Sequence, residues 1–105
     1  MVSQQTIEQA VRILNTAAKP ERIILFGSYA HGDAREDSDV DLLVILREVT
    51  HPRREMTRLR RELAPLGIPV DVLVVSKAHF DKWSDAPSTT LYWAKREGKV
   101  IYNAT

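Results

Sequence analysis

The chain contains no cysteine. A disulfide, a thiolate metal cage and a cysteine nucleophile are therefore all excluded. No apolar stretch approaches the roughly 18–20 residues of a membrane-spanning helix. Met1 to Ile7 shows no basic segment followed by an apolar run, so no signal peptide is expected. There is no surplus of either charge: 15 Lys and Arg stand against 14 Asp and Glu, a formal net charge of +1. A protein that coats nucleic acid carries a basic excess, so neither direct nucleic-acid binding nor membrane association is expected. Internal repeats and low-complexity tracts are also missing. These absences leave a soluble, cytoplasmic protein as the expectation.

What is present fits one globular unit. The 105 residues, 44% hydrophobic and 28% charged, suffice for one core and not two, so 1–105 is expected to be a single domain. Ile7, Ala10, Val11, Leu14, Ala17 and Ala18 recur at helical spacing, with Ser3 or Thr6 as cap and Lys19-Pro20 as the stop. Ile23 to Phe26 is an apolar run suited to a buried strand, broken by Gly27-Ser28. Ser28 to Ser38 reads as one helical turn and a loop, and Val40 to Leu46 as a second strand.

Pro52 to Leu66 follows as a helix, with Met56, Leu59, Leu63 and Leu66 inward and Gly67 as its stop. Its arginines, Arg53, Arg54, Arg58, Arg60 and Arg61, read as a solvated face. Pro69 to Val75 is a third strand, Ser76 to Ser88 a polar connector, Thr89 to Glu97 a last helix ended by Gly98, and Lys99 to Tyr102 a short final strand. The fold class is α/β: a small mixed β-sheet with helices packed on it.

Three carboxylates stand where apolar strands begin. Asp39 and Asp41 flank Val40, so they point to the same side, with Cα atoms ~6.6 Å apart at ~3.3 Å per residue. Asp71 sits between Val70 and Val72. A lone Asp opening a strand is commonly a cap or turn residue, but three converging carboxylates are costly unless a cation joins them. Magnesium suits oxygen donors of this kind, with substrate phosphates and water filling its remaining positions. Gly27 lets backbone approach a ligand closely, and the N–H groups that follow it, with the Ser28 hydroxyl, suit a phosphate. His31, His51 and His79 show no metal-ligand spacing.

Ser28 and Asp39 enclose ten residues, giving Gly-Ser, ten residues, Asp-x-Asp. Here the stretch from Phe26 to Val44, FGSYAHGDAREDSDVDLLV, resembles the polymerase-beta type of nucleotidyltransferase. It is most similar to the minimal form, the antitoxin of HEPN/MNT toxin–antitoxin pairs. The resemblance extends through the third Asp, in Pro-Val-Asp-Val, to about Ile101. It implies a nucleotidyltransferase fold and ATP as co-substrate. It implies that Gly27 and Ser28 bind the nucleotide phosphates, and that Asp39, Asp41 and Asp71 act as metal ligands and catalytic residues around two Mg2+ ions. It further implies transfer of AMP to a tyrosine hydroxyl of a partner HEPN toxin.

His31 stands where many relatives carry Arg and is given no role. Arg35, in the loop before Asp39, reads as solvated. The larger relatives' extra domains are not matched, which favours an acceptor delivered by a partner. Two other readings stand beside this one: an antitoxin that works by contact alone, and the catalytic subunit of an aminoglycoside-type nucleotidyltransferase.

Overall fold

The computed structural model describes residues 1–104. Helix α1, Gln4–Ala18, opens at Ser3, whose side chain accepts a hydrogen bond from the Thr6 N–H, so Ser3 is the cap. It ends at Lys19, which turns into the left-handed region (φ 47°) ahead of Pro20. Strand β1 is Arg22–Phe26, and α2, Ser28–His31, is a single turn. Strand β2, Val40–Leu46, and strand β3, Val70–Ser76, are joined through α3, Pro52–Leu63, which tightens into a 3-10 turn over Ala64–Leu66 before Gly67.

The polar stretch after β3 departs from expectation. It contains a helix, α4, Lys77–Trp83, capped by the Ser76 hydroxyl, which accepts from the His79 N–H. Helix α5, Thr90–Glu97, and strand β4, Lys99–Asn103, complete the chain.

The sheet runs β3-β2-β1-β4. Strand β1 is antiparallel to both β2 and β4, whereas β2 and β3 are parallel. A parallel pair needs a crossover, which α3 supplies. Alternation along the strands sends residues to two cores. Ile23, Leu25, Leu42, Val44, Val72 and Val74 pack with Ile7 and Leu14 of α1 and Leu59 and Leu63 of α3. Ile24, Leu43 and Ile45 pack on the other side with Phe80 of α4 and Leu91 and Ala94 of α5. With helices on both sides, the central strands are buried along nearly their whole length, which is why their sequences are continuous apolar runs.

Gly98 marks a close approach between α5 and the sheet. A Cβ there would lie 2.6 Å from Ile24 Cγ2 and 2.9 Å from the Leu25 carbonyl oxygen.

Candidate active site

Strand direction brings the chemistry-bearing residues to one end of the sheet. Because β1 is antiparallel to β2, its C-terminal residue Phe26 pairs with Asp41 near the start of β2. Because β2 and β3 are parallel and in register, Asp41 pairs with Asp71. Gly27-Ser28, Asp39, Asp41 and Asp71 therefore meet at the ends of three adjacent strands, which lie ~4.8 Å apart. Alternation places Asp41 on the same side as Leu43 and Ile45, and Asp71 on the same side as Leu73 and Val75, the side covered by α4 and α5.

Gly27 joins two of these groups. Its φ of 74° with ψ of −155° belongs to a region open essentially to glycine alone. A Cβ at this position would lie 2.2 Å from Asp41 Oδ2 and 3.2 Å from its Cγ. The Asp41 carboxylate thus rests directly over Gly27. The Gly27 carbonyl accepts from the N–H groups of Ala30 (3.0 Å) and His31 (3.2 Å), which turns the chain into α2. The N–H groups of Ser28 and Tyr29, at the start of that turn, have no partner within it.

Asp41 is half-buried and Asp39 exposed. The Asp41 carboxyl is raised above its ordinary value, first by burial, then by the negative charges of Asp71 and Asp39. The loop before Asp39 is pinned by the Arg35 N–H, which donates to Ser38 Oγ at 2.8 Å, so Arg35 contributes backbone here. His31 lies 3.6 Å from Glu97.

Asp71 has a protein partner. The Arg60 guanidinium, from α3, donates to Asp71 Oδ1 and more distantly, at 3.4 Å, to the Val72 carbonyl. Sequence reasoning put Arg60 on a solvated face. Its reach to Asp71 depends on β3 being the outermost strand, which has no local signal.

Among the described residues, no three acidic or imidazole side chains are gathered closely enough to enclose a cation by themselves. Asp39 and Asp41 still fit a hard cation that keeps positions for phosphate and water, because the Asp41 charge is opposed only by burial and like charge. A separate open cleft of about 1000 Å³, lined by His51, Arg53, Arg54, Ser76 and His79 among others, lies at the far end of β2 and β3 and includes none of the site residues.

The family model described as "Polymerase beta, Nucleotidyltransferase" matches residues 8–105. The chain belongs to this nucleotidyltransferase family. The resemblance read from Phe26 to Val44 is borne out over nearly the whole chain.

Two Methanocaldococcus jannaschii proteins that carry "protein adenylyltransferase" in their names are among the relatives of this nucleotidyltransferase. MJ0604 is 31% identical over 97% of this chain and 100% of its own length. MJ0141 is 38% identical over 53% of this chain, and the match spans only 56% of that protein. Protein adenylyltransferase MntA of Thermococcus cleftensis is 36% identical over 68% of this chain and 79% of its own length.

Two solved structures share the fold. One, a toxin–antitoxin with AMP-PNP, aligns with a TM-score of 0.66 at 20% identity, over 99% of this chain and 76% of that chain. The other, a tri-AMPylated Shewanella oneidensis HEPN toxin in complex with MNT antitoxin, aligns with a TM-score of 0.58 at 19% identity, over 95% and 71%. Among the described residues, no helix is long and apolar enough to cross a membrane.

Proposed function

We propose that this nucleotidyltransferase is a magnesium-dependent protein adenylyltransferase that moves AMP from ATP to a tyrosine hydroxyl of a partner HEPN-type toxin in the cytoplasm, and so acts as its antitoxin. The observation that carries this reading is the meeting of Gly27-Ser28, Asp39, Asp41 and Asp71 at one end of the sheet. The names of the relatives support the adenylyl group. The composition of the two neighbouring complexes supports a toxin as acceptor and ATP as donor.

In this mechanism Asp39 and Asp41 would hold the cations, and Asp71 would join them at the site of the second cation. The N–H groups after Gly27 and the Ser28 hydroxyl orient the phosphates. Bound magnesium would supply charge neutralisation for an in-line displacement at phosphorus. The acceptor oxygen forms a bond to the α-phosphorus as the bond to the β-phosphate bridging oxygen breaks. Pyrophosphate leaves with that electron pair, and the hydroxyl proton passes toward Asp71. The protein's contribution is positioning and electrostatic preorganisation.

The test is label transfer. Purified protein is incubated with magnesium, a lysate of its source cells and ATP labelled at either the α- or the γ-phosphate. The reading predicts one protein band labelled from the α-position alone and missing with Asp39→Asn. Label from the γ-position means phosphoryl transfer and contradicts the mechanism. No label, from a lysate shown to hold a bound partner, leaves neutralisation by contact in its place.

A further inference from the structure

The three carboxylates of the site are not equivalent. Asp41 has only like charges and burial acting on it. Asp71, its in-register neighbour on β3, is the one with a cation of its own. That cation comes from the opposite side of the sheet: α3 buries Leu59 and Leu63 against the α1-side core, yet Asp71 shares the α4/α5 side. Arg60 reaches it past β3, the outermost strand of the sheet. The Val72 carbonyl on that free edge gives the guanidinium a second acceptor. Of the neighbouring arginines, Arg58 is committed elsewhere, to Glu55 and to the Ala17 carbonyl at 2.9 Å.

We infer that Arg60 is a positioning residue that holds Asp71 in place of the second cation, so that this ion binds only by displacing the guanidinium. The first ion meets Asp39 and Asp41 with no protein cation in competition. The second meets a carboxylate already neutralised. The two binding events therefore differ in affinity, and the weaker one is set by the charge on residue 60. Solvent reaches the pair, since the Arg60 and Asp71 side chains are 46% and 48% exposed. The inference rests on Asp71 being part of the cation site, as proposed above.

The experiment counts Mn2+ bound to the full chain, by the electron paramagnetic resonance signal of the free ion, with a non-hydrolysable ATP analogue present. Wild type is expected to show one tight and one weak event. Arg60→Gln tightens the weak event roughly tenfold, which corresponds to about 1.4 kcal/mol of relieved repulsion. Arg60→Lys, which keeps the charge, stays within roughly threefold of wild type on the same scale. Asp71→Asn abolishes the weak event and spares the tight one. If Asp71→Asn behaves in this way but Arg60→Gln leaves the weak event unchanged or weakens it, the role given to Arg60 is wrong. If Asp71→Asn changes neither event, Asp71 lies outside the cation site, and the assignment fails with the inference built on it.

Discussion

Gly27 carries two constraints at once. Its backbone occupies a region that other residues enter at a cost of about 1–3 kcal/mol, and the Asp41 carboxylate fills the space a side chain would take. Gly27→Ala is expected to lower stability by about 1–3 kcal/mol in urea unfolding and to abolish measurable nucleotidyl transfer, because Asp41 must move. Gly67→Ala is the control. Gly67 also has a positive φ, 63°, but nothing lies within 4 Å of its would-be Cβ. That variant loses stability by about 1 kcal/mol and keeps its activity.

Asp41 makes a prediction with a definite sign. Its folded-state pKa lies above the ordinary 3.8, so the folded protein holds the proton more tightly than the unfolded chain. Stability of the cation-free protein therefore falls as pH rises from that value through the raised one, and stays lowered at neutral pH. Asp41→Asn removes the repulsion. With chelator at neutral pH it should melt at a higher temperature than wild type, and the gap should close below about pH 4, where the carboxyl is neutral. Magnesium with an ATP analogue should raise the wild-type melting temperature and leave that of Asp41→Asn nearly unchanged.

At the scale of elements, α1, α3, α5 and the four strands each have a sequence signature: helical spacing of apolar residues, or short apolar runs bounded by glycine, proline or charged residues. Helix α4 has none. Within Lys77–Trp83 only Phe80 is buried, so there is no stripe to read; the Ser76 cap opens the element, and a Lys77–Asp81 ion pair runs along its exposed side. Phe80→Ala should cost about 3–5 kcal/mol by urea unfolding, within the range for buried aromatic truncation. Ser76→Ala should cost about 1 kcal/mol, as for a lost cap.

The same contrast holds in the site. Asp39-x-Asp41 was legible because period-2 alternation is local, and Asp71 because a charge between two valines is conspicuous. Arg60 was not, because its partner lies across a strand edge. The carboxylate above Gly27 was not, because only the β1–β2 register reveals it.

At the scale of the molecule, the sheet order decides the site. With β2 between β3 and β1, the antiparallel pairing of β1 and the parallel pairing of β3 bring a strand end and two strand starts to one end. Composition and periodicity indicated α/β and a mixed sheet, but they carry no information on strand order, which is set by long-range pairing. The proposed acceptor, a separate protein, leaves no local signal in this chain.

The most direct measurement is the intact mass of the proposed partner toxin after co-expression with this chain or with Asp41→Asn, recorded alongside cell growth. The account predicts whole AMP increments on the toxin, and growth, with the wild-type chain, and an unmodified toxin with arrested growth for the variant. Growth restored by the variant while the toxin stays unmodified would contradict it.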